Sequence, residues 1–128
     1  MKVLLDTHAF IWWTVDPVRL GPQANRRCFD PASQLVLSVA SVWEMQIKVM
    51  LSKLTVHQPL RQMIADQVEQ NGLEVLPVKL EHVLRLDSLP SLHQDPFDRL
   101  LVAQALAEGW DLISHDPAIT QYSVRVIW

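Results

Sequence analysis

The sequence has few of the residues that mark disulfide-rich, fibrous or disordered proteins. It contains one cysteine, Cys28, and three glycines among 128 residues, so it can form neither an internal disulfide nor a thiolate metal site of its own. Hydrophobic residues make up 49% of the chain and charged residues 20%, which is typical of a folded globular protein. We expect a single domain over residues 1–128. Cys28, next to Arg27 on a predicted helix, is expected to be packed rather than catalytic.

Long apolar runs are also missing. The run from Leu35 to Trp43 is interrupted by serines and ends at Glu44, which is far short of the ~20 residues that span a bilayer. The N-terminus reaches Asp6 before a signal-peptide apolar region of about 7 to 15 residues could form. We therefore expect no membrane anchor and a cytoplasmic location.

An excess of basic residues is the third absence. The formal net charge is −3, whereas nucleic-acid-binding domains usually carry a basic surface. Four acids considered below carry −4 of this charge and leave +1 on the rest of the chain. The net charge thus neither supports nor excludes a nucleic-acid ligand.

The apolar pattern predicts strands that alternate with helices. Strands are predicted at residues 2–5, 34–38, 73–78, 111–114 and 124–127. Helices are predicted at residues 8–15, 17–29 with a possible break at Gly21-Pro22, after Ser38 or Ser41, at 59–71, at 80–89, and from Asp95-Pro96 to Gly109. This order predicts an α/β fold of three layers, with helices on both faces of a central, mostly parallel sheet of four to five strands.

Two sets of aromatic and apolar side chains lead to packing predictions. Trp43, Ile47, Met50 and Leu51 recur with helical spacing, which predicts that this stripe faces the core. Trp110 also falls in a predicted core element. Adjacent Trp12 and Trp13 cannot share one helix face, so one of them is expected to be exposed.

Acidic residues lie near the predicted strand ends. Asp6 follows the first strand, Asp116 follows the fourth, Asp98 lies in the first turn of its helix, and Glu44 lies one or two turns into the helix after the second strand. Ligands of an open parallel sheet bind at the carboxyl ends of its strands. These four acids could therefore converge.

Each acid also has a structural interpretation. Asp95 and Asp116, each before proline, suit helix starts, and this role alone accounts for Asp95. Asp98, three residues after Asp95, resembles a capping-box member. Glu44 could pair with Lys48, one turn further along the helix, for a few tenths of a kcal/mol.

Taken together, the acids point to a bound cation. Like charges at one edge repel and raise each other's pKa unless a cation binds there. Mg²⁺ prefers oxygen ligands and typically takes one or two carboxylates plus phosphate oxygens, which suits a phosphodiester substrate. One such ion can activate water and a second can stabilise the leaving oxygen.

Four motifs carry a resemblance to a known family. They are Leu5-Asp6-Thr7-His8 at the end of the first strand, SVASVWE at residues 38–44, HQDPFDRLLVAQA at residues 93–105, and Ile113-Ser114-His115-Asp116. Over nearly its whole length the chain resembles the PIN-domain nucleases, and within them the VapC-type toxins of bacterial toxin-antitoxin systems.

The resemblance implies that Asp6, Glu44, Asp98 and Asp116 are the four catalytic acids. Asp6 and Asp98 would be the principal ligands of Mg²⁺ or Mn²⁺, and Asp116 would complete the metal site directly or through water. Glu44 would position the attacking water or support a second ion. Ser114 could orient the last carboxylate or a water molecule.

The resemblance further implies an endoribonuclease that cleaves single-stranded RNA by metal-activated water, leaving a 5′-phosphate and a 3′-hydroxyl, and thereby inhibits translation. A cognate antitoxin would occupy the active-site groove with a C-terminal segment and repress the shared operon. The assembly would be a homodimer or a toxin-antitoxin hetero-oligomer. Transfer, ribosomal and messenger RNA are all possible targets.

Several neighbouring side chains keep more than one interpretation. His8, His93 and His115 lie near the proposed acids without a zinc-binding spacing, so supporting or helix-start roles are expected, with RNA contact by His93 or His115 as the alternative. Arg99 could neutralise phosphate or pair with Asp95. The exposed member of the Trp12-Trp13 pair could contribute to an antitoxin groove or a dimer surface.

Two other functions compete with the nuclease. An aspartyl-phosphate phosphatase needs a second aspartate two residues after the first, and His8 occupies that position. A catalytically degenerate PIN module could act as an RNA-binding or protein-interaction scaffold, but acids at all four positions argue against it.

Overall fold

A computed structural model describes all 128 residues and contains one parallel sheet. Its strands are β1 (Lys2–Leu5), β2 (Gln34–Ser38), β3 (Glu74–Leu76), β4 (Asp111–Ile113) and β5 (Val126–Ile127), in the order β3-β2-β1-β4-β5. Every neighbouring pair is parallel. The predicted α/β class and the parallel central sheet are confirmed, with strands 3 to 5 shorter than predicted.

Six α-helices connect and cover the strands. They are α1 (Thr7–Val15), α2 (Pro22–Phe29), α3 (Val39–Met50), α4 (Leu60–Asn71), α5 (Leu80–Leu84) and α6 (Pro96–Glu108). Alternate strand residues point to opposite faces, so Val3 and Leu5 pack in a cluster with α1, α2 and α4, while Leu4 packs with α6 in a second cluster. The predicted three layers follow from this alternation.

Side chains at the helix ends explain where several helices begin and stop. Asp6, Ser38 and Asp95 are the N-cap residues of α1, α3 and α6, and each accepts backbone N–H groups of the first turn. Gly72 and Gly109 end α4 and α6 at φ of 66° and 75°, a left-handed conformation that glycine adopts without steric cost. No helix is long and apolar enough to cross a bilayer.

The predicted helix over residues 17–29 is broken, as its Gly21-Pro22 pair had suggested. A short 3₁₀ turn (Pro17–Arg19) precedes α2. A Cβ atom on Gly21 would lie 2.5 Å from the Trp128 ring, so only glycine allows this close approach. The predicted helix over residues 80–89 also divides, into α5 and a 3₁₀ turn (Arg85–Ser88).

The packing prediction for α3 is wrong. Trp43, Met50 and Leu51 are 63%, 81% and 59% exposed, and the Trp43 ring instead stands edge-on to Phe97 at 5.3 Å between centroids. The buried residues of α3 are Ala40, Ser41, Glu44 and Met45. Small residues on this face allow the helix to approach its neighbours closely, and the consequence is that Glu44 points inward.

The other tryptophan predictions hold in part, because neither member of the Trp12-Trp13 pair is fully exposed. Trp13 is buried whereas its neighbour Trp12 is only partly covered. Trp110 packs against the second core cluster, and the Lys2 ammonium lies 5.2 Å from its ring centroid. Cys28 is buried in the first cluster, and burial raises the pKa of its thiol to about 12, so the thiol is packed and inert.

Candidate active site

A cavity of about 460 Å³ opens where β1 and β4 end and α1 and α6 begin. The four predicted acids, Asp6, Glu44, Asp98 and Asp116, all line it. The remaining lining residues are Thr7, His8, Trp12, Lys48, His93, Asp95, His115 and Pro117. The fold therefore brings together acids that lie up to 110 positions apart in the chain, from Asp6 to Asp116.

Asp6 is the most buried of the acids that line the cavity. Its Oδ1 accepts the Ala9 N–H at 2.7 Å, which fixes the carboxylate at the start of α1. Burial raises the pKa of Asp6, while the adjacent Ser114 hydroxyl and the Ala9 N–H act in the opposite direction. Ser114 is itself buried, and its Oγ accepts the Asp116 N–H at 3.1 Å. Ser114 thus lies close to the Asp6 carboxylate and holds the turn that carries Asp116.

Glu44 is buried and held on both oxygens. The Thr7 hydroxyl donates to Oε1, and the Lys48 ammonium lies 2.9 Å from Oε2. The pairing with Lys48 predicted from the helical spacing is therefore present, but it occurs inside the acidic cavity. Because both contacts restrain the side chain, Glu44 has a fixed position at the wall of the cavity.

Asp98 and Asp116 meet at His93. The His93 Nε2 lies 2.9 Å from Asp98 Oδ2 and 3.3 Å from Asp116 Oδ2. Its Nδ1 accepts the Gln94 N–H at 3.1 Å, which leaves the ring proton on Nε2, facing the two carboxylates. This imidazole is placed where a positive charge between the two acids is needed.

Electrostatics of this group reflect crowding of negative charge. Burial, together with the charges of Asp95, Glu44 and Asp6, raises the pKa of Asp98 to about 7, although the hydrogen bond from His93 acts in the opposite direction. Burial alone would lower the pKa of His93, but the hydrogen bond to Asp98 and the neighbouring carboxylates raise it overall. Each shift favours a state with less net negative charge.

Asp95 and Arg99 have structural contacts. Asp95 Oδ1 accepts the N–H groups of Phe97 at 2.8 Å and Asp98 at 3.2 Å, as expected for an N-cap. The Asp98 side chain makes no capping contact and turns to His93 instead, so its capping-box interpretation is wrong. Arg99 donates to the carbonyls of Pro90 and Leu86. The predicted pairing with Asp95 does not appear, because the guanidinium holds the loop before α6.

Asp116 combines two contacts. Its Oδ1 accepts the Ala118 N–H at 2.9 Å, which closes the turn after β4. Its Oδ2 remains directed at His93 and the cavity. The helix-start role and the site role predicted for Asp116 are therefore compatible.

Sequence reasoning undervalued three side chains. The sequence predicted no site role for Thr7, only an ion pair with Glu44 for Lys48, and no contact between His93 and the acids. A hydroxyl one residue after Asp6 and a histidine five residues before Asp98 are visible in the sequence, but only the packing of α1 against α3 and the loop before α6 sets their contacts.

The donor set fits a hard divalent cation. Five acids and one lysine line the cavity, and ligand atoms of His93, Asp98 and Asp116 lie within 4.8 Å of one another. Carboxylate oxygens are the ligands preferred by Mg²⁺, and Mn²⁺ accepts the same set with imidazole. Cysteine is absent from the lining, which disfavours a thiolate zinc site.

Known proteins are similar to this chain over most of its length. The PIN domain family matches residues 3–124. Ribonuclease VapC22 from Mycobacterium tuberculosis (strain ATCC 25618 / H37Rv) is 30% identical over 117 residues, which cover 89% of this chain and 86% of that protein.

Solved structures share the fold at lower sequence identity. A chain of VapBC2 from Rickettsia felis, bound to a DNA fragment from its promoter, aligns with a TM-score of 0.70 at 15% identity and covers 98% of this chain and 97% of its own. FitAcB from Neisseria gonorrhoeae aligns with a TM-score of 0.61 at 20% identity, and the alignment covers 97% of this chain and 95% of that one. VapBC-1 from nontypeable Haemophilus influenzae aligns with a TM-score of 0.58 at 20% identity, and the alignment covers 98% of this chain and 96% of that one.

Proposed function

The chain belongs to the PIN-domain family, and on that premise we propose that it is a Mg²⁺- or Mn²⁺-dependent endoribonuclease that acts as the toxin of a toxin-antitoxin pair. The observation that carries the proposal is the convergence of Asp6, Glu44, Asp98 and Asp116 on one cavity. The relative that matches most of the chain is named a ribonuclease, which supports the choice of RNA among phosphodiesters.

Asp6, Asp98 and Asp116 would hold the metal ion. Ser114 supports two of them, through the Asp6 carboxyl and the Asp116 N–H. His93 Nε2 contacts the Oδ2 atoms of both Asp98 and Asp116 and so keeps these two oxygens close to each other. A bound cation would take the place of the His93 N–H at these oxygens. A bound Mg²⁺ or Mn²⁺ would supply activation of the attacking water and neutralise charge on the phosphate.

Glu44 would position the attacking water or support a second ion. Its two oxygens are oriented by the Thr7 hydroxyl and the Lys48 ammonium. A buried carboxylate with fixed geometry can accept a proton from water without first reorganising. Thr7 and Lys48 therefore act as positioning residues for Glu44.

Partners and location follow from the family. We propose single-stranded RNA as substrate, a cognate antitoxin that blocks the cavity and a homodimer or toxin-antitoxin hetero-oligomer as the assembly, with the protein acting in the cytoplasm to inhibit translation. Structures named VapBC share the fold over almost the whole chain, which supports an antitoxin partner.

The test is RNA cleavage by protein freed of any partner, with and without Mg²⁺ or Mn²⁺. Cleavage should require the metal, and Asp6→Asn or Asp98→Asn should abolish it while circular dichroism shows an intact fold. Asp87→Asn is the matched control, because Asp87 is an exposed aspartate outside the cavity. Metal-independent cleavage that is equal in wild type and both variants would contradict the proposal.

The same experiment separates the nuclease from a non-catalytic scaffold. A degenerate PIN module would bind RNA or protein without cutting under any metal condition. Sequencing of RNA 5′-ends after induced expression would then identify the target if new ends appear. Wild-type protein that binds RNA but produces no new ends with either metal would favour the scaffold.

A further inference from the structure

A second cavity, of about 360 Å³, adjoins the active-site cavity. The two cavities share His8, Trp12 and Lys48 in their linings, so the second cavity lies beside the catalytic acids on the Trp12 side. We call the second one the Trp12 cavity; its other charged residues are Asp16, Arg19 and Lys53. A polymer bound at the acids can therefore extend into it.

The sign of the charge reverses between the two cavities. Five acids and one lysine line the first, whereas Arg19, Lys48 and Lys53 face a single acid, Asp16, in the second. Lys48 is already paired with Glu44. Arg19 and Lys53 form no ion pair with any carboxylate. Two cations at the Trp12 cavity are thus left to bind an anion.

Local structure holds the Arg19 side chain and the Lys53 backbone at this cavity. The Arg19 guanidinium lies 5.0 Å from the centroid of the Trp12 ring, a distance at which a cation is attracted to the aromatic face. Lys53 is in a closed turn after α3, where its N–H and that of Leu54 both donate to the Lys48 carbonyl, at 2.8 and 3.2 Å. The Arg19 guanidinium, which is restrained against Trp12, loses less conformational entropy when a ligand binds.

Trp12 adds an aromatic surface next to the cations. Its ring is partly exposed, stands edge-on to Trp128 at 5.6 Å, and is tilted against His8 at 5.7 Å. Proteins that bind single-stranded nucleic acids combine cations along the backbone with aromatic rings on which bases stack. The Trp12 cavity presents both features.

The acidic site needs such a neighbour. Its carboxylates attract a phosphate only through bound metal and repel the adjacent phosphates of the same strand. Affinity for a polyanion comes chiefly from cations that contact its backbone. These cations must therefore lie beside the acids, and the Trp12 cavity supplies them.

We propose that the Trp12 cavity binds the single-stranded RNA on one side of the cleaved bond, with backbone phosphates at Arg19 and Lys53 and an unpaired base against Trp12. The inference rests on the proposed RNA cleavage and names how that substrate is held. It assigns Arg19 and Lys53 to RNA binding and gives neither of them a part in the chemical step.

The experiment measures binding of a fluorescent single-stranded RNA by anisotropy at several salt concentrations. All proteins carry Asp98→Asn, so that the RNA stays intact. The test variant is Arg19→Gln with Lys53→Gln. The matched control is Arg61→Gln with Arg85→Gln, which removes the same charge from exposed arginines that line neither cavity and form no ion pair.

Loss of two phosphate contacts should weaken binding about 10- to 30-fold near 0.1 M salt and reduce the slope of log K against log salt by about 1.4, because each contact to a single strand contributes about 0.7. The control should leave the slope nearly unchanged. Arg19→Lys, which keeps the charge, should keep most of the slope. Equal slopes for the test and control variants would overturn the inference.

A polyglutamate peptide of equal charge probes the alternative, an acidic protein segment. If the peptide binding depends on Arg19 and Lys53 while RNA binding does not, the cavity serves a protein and the inference is wrong.

The two proposals can fail separately. Wild-type protein that cleaves RNA, with test and control variants alike in RNA binding, refutes only the inference. The opposite result is also possible: the wild-type protein never cleaves RNA, yet removal of Arg19 and Lys53 weakens RNA binding. That result would refute only the nuclease.

Discussion

Two histidine-carboxylate clusters in this molecule contain the same kind of contact but lie in different surroundings. His93 and Asp98 in the cavity, and His82 and Glu108 between α5 and α6, are each joined at 2.9 Å. Yet burial raises the pKa of Asp98 to about 7, whereas hydrogen bonds from His82 and Lys79 lower the pKa of Glu108. The same pair of groups is thus set in opposite electrostatic environments.

The His82 cluster is balanced and closed. His82 is 0% exposed, its Nδ1 accepts the Lys79 N–H at 3.0 Å, and Lys79 Nζ lies 3.1 Å from Glu108. Gln104 Nε2 lies 3.2 Å from the same ring nitrogen. These contacts satisfy the imidazole and the carboxylate without a metal ion, so the cluster joins α5 to α6. The cavity around His93 has an excess of acids and is open, which is what a metal and a substrate require.

The largest expected contrast is in catalysis. Asp98→Asn should reduce RNA cleavage by more than ~1,000-fold, since loss of an outer-shell partner alone costs about 10- to 100-fold and Asp98 is proposed as a direct ligand. Glu108→Gln should leave the rate within about 2-fold. Initial rates with Mg²⁺ below the unfolding temperature test this, and equal losses in both variants would remove the functional distinction between the clusters.

Stability should show the reverse ranking. His82→Ala should lower the free energy of unfolding by about 3 kcal/mol, because it opens a cavity and leaves a buried amide without its partner. His93→Ala should change it by less than about 1 kcal/mol, since His93 is partly exposed and its removal costs little buried area. Urea unfolding of the metal-free proteins measures both, and a larger loss for His93→Ala would contradict this ranking.

Metal should stabilise through one cluster only. Mg²⁺ at 100 times its Kd should add about 2.7 kcal/mol to the free energy of unfolding and raise Tm by several degrees. Asp98→Asn should lose most of this gain, whereas Glu108→Gln should keep it. Thermal melts with and without Mg²⁺ provide the measurement. A gain that disappears in Glu108→Gln would place the ion between α5 and α6.

The smallest expected effect is on pH dependence. Because the folded pKa of Asp98 lies near 7 and above its ordinary value of 3.8, the folded state binds more protons between these values. Metal-free stability should therefore fall as the pH rises from about 4 to 7, by no more than about 2 kcal/mol for a partly hydrated group. Asp98→Asn should flatten this part of the profile.

Glu108 should contribute with the opposite sign. Its lowered pKa means that its stabilisation is present above its ordinary range and is lost as the pH falls through the folded value. Glu108→Gln should therefore weaken the loss of stability at acid pH. Urea midpoints across the pH range, compared between the two variants, test both signs, and identical profiles would show that neither pair is coupled to folding.

Much of the fold could be predicted from local signals. The second strand was predicted at its observed bounds, and Gly72 and Gly109 end helices where their sequence positions indicated. Strand ends were less predictable: the last strand comprises two residues, not four. Pairing stops where the chain turns away from its neighbour, which no local pattern records.

The proposed site divides in the same way. The positions of Asp6, Asp98 and Asp116 at strand ends and helix starts were readable along the chain, and all three line one cavity. The inward direction of Glu44 could not be predicted in this way, because the apolar spacing of α3 indicated that Trp43 would be buried instead. No sequence pattern predicted that Arg19 and Lys53 line the same cavity, because the contact with Trp12 and the turn after α3 exist only in the fold.

Periodicity and capping residues are encoded locally, so the chain alone set the alternation of strands and helices and placed acids where parallel strands end. Which face of a helix is buried depends on the shape of its neighbours. Packing therefore turned Trp43 outward and Glu44 inward, and it brought His93 between two carboxylates in one place while His82 became a closed link between helices in another.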